Sequence, residues 1–184
     1  KDYQYFRSIS QMPDGSPPAL YLHVGTTDNI LIYMIGGASC SGNSLIKYLR
    51  TAISVVSPST AVQPIGIVKV GEGILSTDPS KNLFANWTKA ILLYCDGAFH
   101  QGYAKDPISY KDTKLYFRGS PNTRSHFAYL NNRFNFSKAN KIVLSGSSAG
   151  GISTYAWIDY LKVYINNPAV KLYSIIYSVI FLDS

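Results

Sequence analysis

Residues 141–160 read KIVLSGSSAGGISTYAWIDY, and the reading of this stretch decides the fold. Ile142, Val143 and Leu144 form a short, almost wholly apolar run suited to a strand buried on both faces. Gly146-Ser147-Ser148-Ala149-Gly150 follows and fits G-x-S-x-G, the nucleophile elbow. Such a turn strains the serine at its apex, and Gly146 and Gly150 flank it because a neighbouring Cβ would collide with the turn. The next residues, GGISTYAWIDYLKVYI (150–165), read as a helix, so the pattern has the strand before it and the helix after it that it requires. Ser148 is the candidate nucleophile at the carboxyl edge of a sheet. The backbone N–H of Ala149, at the start of the helix, would face a developing oxyanion.

Working outward, ILIYMI (30–35) is a second apolar strand, followed directly by Gly36-Gly37. That pair reads either as a structural turn or, given the elbow downstream, as the second half of an oxyanion hole. ALYLHV (19–24) precedes it, and the intervening GTTDN predicts a hairpin-like turn between the two strands. Leu45, Tyr48, Leu49 and Ile53 recur at helical spacing behind a Ser/Asn cap, predicting a helix over 41–54. KAILLYC (89–95) reads as a buried strand ended by Asp96-Gly97, NTRSHFAYLNNRF (122–134) as a helix, and LYSIIYSVIFL (172–182) as a final buried strand. Apolar strands alternating with helices indicate the α/β class: a mainly parallel sheet covered on both faces, closed by a βαβ unit.

Composition narrows the function. The chain has 184 residues, 46% hydrophobic and 15% charged, which fits one folded domain and excludes disorder. The formal charge of +7 comes from scattered Lys and Arg rather than from a run, so a solvated surface is expected and no nucleic-acid partner. Fifteen tyrosines suit core and sheet packing better than a carbohydrate-facing surface. No apolar stretch is long enough to span a bilayer. The chain opens at Lys1 without Met or signal peptide, which reads as a processed product or an excerpt. Cys40 and Cys95 are equally compatible with one bridge and with two thiols. Asn86-Trp87-Thr88 and Asn135-Phe136-Ser137 match the N-glycosylation sequon and tilt towards a secreted protein.

A hydrolase triad of this kind runs Ser, then acid, then His in chain order. After Ser148 only Asp159 and Asp183 are acidic, and no histidine follows. Asp159 reads as a solvated mid-helix residue. Of the preceding histidines, His23 reads as a packed or surface imidazole and His126 as an ordinary helix residue. His100, at a strand end after CDGAF, can border the site. No His/Cys/carboxylate spacing points to a metal, and no glycine loop to a phosphate.

Six collinear blocks then carry a resemblance: DGSPPALYLHVG, IGGASCSGNS, GILS, NWTKAILLYCDGAFHQG, LYFRG and IVLSGSSAGG, together spanning residues 14 to 151. Their order resembles the pectin acetylesterase/Notum family of serine carboxylesterases, usually secreted, and FLDS (181–184) resembles a further block. The resemblance implies Ser148 as nucleophile and backbone amides of Gly37, Ala38 and Ala149 as oxyanion donors. It also implies an acyl-enzyme route without metal or organic cofactor, acting on an acylated carbohydrate or an acylated protein, in a secreted or lumenal location. The chain departs from the family pattern at Ile35, Ala38 and Ser39 around the glycine pair, at Ser147 where cysteine is common, and at Met12 where a cysteine normally stands.

The resemblance places the family's catalytic Asp and His beyond Ser184. Residues 1–184 are therefore read as a single incomplete α/β-hydrolase-like domain, truncated after the strand that follows the nucleophile helix. Two functions are compatible with that: the N-terminal part of an esterase, or a non-catalytic interaction protein that keeps the half-sheet. An open strand edge also predicts either a companion chain that supplies the missing strands or a poorly soluble fragment.

Overall fold

The computed structural model describes residues 3–7, 18–37, 72–110 and 113–177. In chain order its elements are strands β1 (Gln4–Arg7), β2 (Ala19–His23), β3 (Asn29–Met34), β4 (Thr88–Leu92), β5 (Ile108–Tyr110) and β6 (Thr113–Leu115), then helix α1 (Gly119–Phe134), strand β7 (Lys141–Ser147), helix α2 (Ala149–Lys162) and strand β8 (Lys171–Tyr177). The main sheet has the order β1-β2-β4-β3-β7-β8. Strands β4, β3, β7 and β8 run parallel, while β2 and β1 add antiparallel pairings at one side. Strands β5 and β6 form a separate small hairpin. This is the mainly parallel α/β sheet that the apolar strands predict.

Alternation along the central strands divides two cores. Leu20 and Leu22, Ile30, Ile32 and Met34, and Ile142 and Leu144 face α1 and α2, where they meet Phe127, Leu130, Trp157 and Leu161. Ala19, Tyr21, Leu31, Ile91 and Val143 face the other way, against Leu75, Phe84 and Trp87 from the segment before β4. Because both faces are covered, the strands read as continuous apolar runs rather than alternating ones.

Three expectations need revision. Strands β2 and β3 are not a hairpin: β4 lies between them, antiparallel to β2 and parallel to β3. The GTTDN turn instead wraps the start of β4. Gly25 N–H donates to Thr88 Oγ1 at 3.1 Å, and Thr26 N–H donates to the Asn86 carbonyl at 2.9 Å. A side chain at Gly25 would run into the backbone of Asn86 and Trp87, so the glycine serves a chain crossing, not a two-strand turn.

The second revision concerns β8, read as buried. Only β7 pairs with it among the described residues, and Tyr173 and Tyr177 are 49% and 42% exposed. Leu172 and Ile175 pack on the two cores while the tyrosines between and beyond them stay outside. The third is an extension: α1 begins at Gly119, three residues before the predicted helix, because Ser120 N–H is held by the Gly102 carbonyl at 2.9 Å. The predicted helix over 41–54 and the end of the last strand, 178–182, lie outside the described residues.

Lys89, in the middle of this apolar sheet, is fully buried. Its Nζ donates to the carbonyls of Ala85 at 2.7 Å and Trp87 at 3.4 Å, and loss of water pulls its pKa down to about 8 from 10.5. Between those two values the unfolded chain binds more protons than the folded one, so Lys89 adds stability as pH rises through the window. Lys89→Met removes this dependence. Urea midpoints of the two proteins are expected to diverge in favour of the wild type from pH 8 to 10.5; a difference that stays flat across that range would count against the assignment.

Candidate active site

Strands β3 and β7 run side by side to Met34 and Gly146, and within a residue or two of these positions both leave the sheet. The amino end of α2 folds straight back over this point. A Cβ on Gly150 would meet the Met34 carbonyl, and one on Gly146 would meet the Gly150 carbonyl. The two glycines of the elbow are thus required by backbone-on-backbone contact.

Ser148 sits between them at φ 52°, ψ −122°, a region non-glycine residues avoid at a cost of about 1–3 kcal/mol. Its N–H donates to the Tyr177 carbonyl at 3.1 Å, and its carbonyl accepts from Gly151 and Ile152 at 2.9 and 3.1 Å. The strained residue is held on both sides, and its side chain projects into solvent. Among the described residues nothing hydrogen-bonds to Ser148 Oγ, and the Ala149 N–H has no partner. The neighbouring serines differ: Ser145 Oγ donates to the Ile175 carbonyl at 2.7 Å, and Ser147 Oγ accepts from the Tyr33 hydroxyl at 3.0 Å.

The glycine pair after β3 lies against this apex. Ile35 N–H still follows the ladder, donating to the Leu92 carbonyl at 3.1 Å. A Cβ on Gly36 would run into the Ser147 carbonyl and come within 3.0 Å of the Ser148 Cβ. One on Gly37 would lie 2.6 Å from the Tyr94 ring. Ala38 and Cys40 fall outside the described residues, so the third oxyanion donor and the Cys40–Cys95 pairing are not placed. Cys95 itself is buried, with Asn122 Nδ2 3.6 Å from its Sγ.

A second loop, 94–102, supports the turn from below. The buried Asp96 carboxylate accepts from the N–H groups of Ala98, His100 and Gly102 at 3.2, 3.1 and 2.7 Å. Around this anchor Phe99 and His100 both take left-handed φ, 56° and 57°. The His100 carbonyl accepts from Trp157 Nε1 at 3.1 Å and from Thr123 Oγ1 at 3.3 Å. Ser153 Oγ, on α2, lies 2.7 Å from the carbonyls of both Phe99 and Ala149. From sequence alone Asp96 reads only as the end of a strand. The available signal was an Asp-Gly directly after an apolar strand, where a short carboxylate can collect the amides of a tight loop.

His100 does border the site, but buried beneath it rather than open to Ser148. Its Nε2 bonds to the Ile35 carbonyl at 2.9 Å and its ring lies 4.9 Å from Tyr94. Loss of water holds its pKa below the ordinary histidine value, although Asp96 and the Ile35 carbonyl pull the other way. His126 lies on its helix as expected but is buried: it is 3% exposed, and burial, with His100 nearby, pulls its pKa down to about 3. Among the described residues its Nε2 has no hydrogen-bond partner. His23, paired in register with Lys89, lies at the opposite edge of the sheet, and Asp159 is exposed on α2 as expected. A groove of about 190 Å³ between Thr27, Asp28, Thr88, Phe134 and Lys138 also opens at that opposite edge.

What is gathered is a strained, exposed serine with an unoccupied helix-start amide beside it and a glycine turn against it. That arrangement can present a hydroxyl to a carbonyl carbon and backbone N–H groups to the carbonyl oxygen. No imidazole or carboxylate among the described residues reaches the hydroxyl.

A family model described as Pectinacetylesterase matches residues 10–184. Among curated proteins the chain is 31% identical over 166 residues to pectin acetylesterase 4 and 32% identical over 173 residues to pectin acetylesterase 5, both from Arabidopsis thaliana. These matches cover 85% and 88% of the chain but 37% of each relative. It is also 28% identical to the palmitoleoyl-protein carboxylesterase NOTUM of Schmidtea mediterranea, over 100% of the chain and 36% of that protein. The crystal structure of the Wnt deacylase Notum from Drosophila superposes with a TM-score of 0.77 at 19% identity, over 95% of this chain and 52% of that one. The chain spans little more than a third of the length of the curated relatives it matches.

Asp96→Asn keeps the shape of the anchor but replaces one carboxylate oxygen with a donor facing N–H groups. It is expected to lower stability by roughly 2–3 kcal/mol in urea unfolding. Exchange at the Gly102 amide should also speed up. A change under about 0.5 kcal/mol, within the range of an ordinary surface substitution, would refute the anchoring role.

Proposed function

This chain belongs to the pectinacetylesterase family, and from that premise we propose that it carries the nucleophile and oxyanion hole of a serine carboxylesterase. Ser148 Oγ attacks the ester carbonyl, the alcohol leaves, and water releases the acid from the acyl-enzyme. The oxyanion is received by the N–H groups of Gly37, Ala38 and Ala149, the last of which carries the positive end of the α2 dipole. The observation that carries this reading is the backbone of Ser148, φ 52° and ψ −122°. Strain of that size persists where a function requires it, and the two alternative serines have their hydroxyls engaged elsewhere.

The substrate class follows from the relatives: an O-acylated, foremost O-acetylated, carbohydrate, or an acylated protein. The acid and base of the triad are assigned to residues outside this chain, so on its own it would retain only the catalysis of the oxyanion hole and binding. In well-studied serine proteases that remainder is roughly 10³–10⁴ over water. A secreted setting suits the two sequons, whose Asn86 and Asn135 are both exposed. No helix among the described residues is long and apolar enough to cross a membrane.

A fluorophosphonate probe tests the assignment. It is expected to modify Ser148 in the wild type and in Ser147→Ala, and to leave Ser148→Ala unmodified by intact-mass measurement. Labelling that persists in Ser148→Ala would falsify the nucleophile. A folded wild type that also carries the triad's acid and base and takes no label would favour the non-catalytic reading.

A further inference from the structure

We propose that His100 is a positioning residue for the oxyanion turn, holding the Ile35 carbonyl so that Gly36 and Gly37 present their backbone in a fixed orientation. This rests on the esterase reading above.

Ile35, the residue after β3, is still tied to the sheet through its N–H to Leu92. Its carbonyl does not continue the ladder; it is met at 2.9 Å by His100 Nε2. A carbonyl only accepts, so the proton sits on Nε2, and the imidazole is the donor. In a trans peptide the carbonyl and the following N–H point in opposite directions. Fixing the Ile35 carbonyl therefore fixes the Gly36 N–H and sets the plane from which the two glycines depart. Glycines lack the side-chain restraint that would otherwise hold such a turn.

The other two contacts complete the grip. Gly36 rests on the Ser147 carbonyl and the Ser148 Cβ, and Gly37 rests on the Tyr94 ring. Tyr94 in turn lies over His100, and its hydroxyl accepts the Phe99 N–H at 3.2 Å. His100 cannot drift, because its N–H is on Asp96 and its carbonyl is held by Trp157 of the elbow helix and Thr123 of α1. One residue thereby joins the glycine turn to the helix that starts at the nucleophile, keeping the two halves of the hole in register.

The test compares His100→Phe, which keeps a ring against Tyr94 but donates nothing, with His100→Gln, whose amide N–H reaches about as far as Nε2. The measured quantities are the maximal rate and half-saturation of fluorophosphonate labelling of Ser148 in the chain. Misplacing oxyanion donors should cost His100→Phe about 10²-fold in the maximal rate, with half-saturation little changed, and His100→Gln should recover most of the loss. A folded His100→Phe that labels at the wild-type rate overturns the proposal, as does a folded His100→Gln no faster than His100→Phe. If the substitutions prevent folding, the wild type still decides: imidazole ¹⁵N–¹H correlations are expected to find the His100 proton on Nε2, and a proton on Nδ1 alone overturns the contact. A wild type that carries the triad's acid and base yet takes no label removes the esterase reading itself, a result distinct from unchanged labelling in the variant.

Discussion

The amino end of α2 lies on the Met34 carbonyl more closely than any side chain would permit, and the rest of the site is arranged around that contact. Gly150 makes the approach from the helix and Gly146 from the strand. With both glycines in place, β7 can leave the sheet and re-enter as a helix within a single residue, and that residue is Ser148. Its dihedral strain is the geometric remainder of a turn this tight. The same approach brings the end of β3 beside the turn, so Gly36 comes to rest against Ser147 and Ser148. The apex serine and the glycine turn against it are set by one packing constraint.

Polar groups beneath the site obey a strict accounting. Asp96 spends its two oxygens on three amides, and the loop it closes turns its outward carbonyls to Trp157, Thr123 and Ser153. Buried polar groups that find partners make a stiff platform, whereas unpaired ones cost stability. Lys89 meets the same requirement with carbonyls alone and a depressed pKa, whereas His126, kept neutral by burial, leaves its Nε2 unpaired among the described residues.

The parts of the fold legible in the sequence were those with local signals. The apolar run 142–144, the flanking glycines and the helix after them are contiguous, and each supports the others. The position of β4 between β2 and β3 was not legible, because the partner strand lies some sixty residues further along and a Gly/Asp/Asn turn looks the same beside a hairpin or a crossing. An apolar run likewise does not say whether a neighbour covers it, so the exposure of Tyr173 and Tyr177 was hidden. In α1 the buried stripe is Asn122, Thr123, His126, Phe127 and Leu130, at helical spacing but largely polar, which masked His126. His100 could be placed near the site from its strand end; its contact with Ile35 depended on two left-handed residues that no local pattern announces.

The pairing of β3 with β7 joins Asn29 to Lys141 and Met34 to Gly146, across more than a hundred residues of chain. Contacts so distant in sequence carry a large loop-closure cost and form slowly. The backbone of Ser148 is held locally by Tyr177 of β8 and by Gly151 and Ile152 of α2, but the glycine turn after β3 reaches it only on that closure. The apex serine and the glycine turn beside it therefore come together only with the assembled sheet, late in folding.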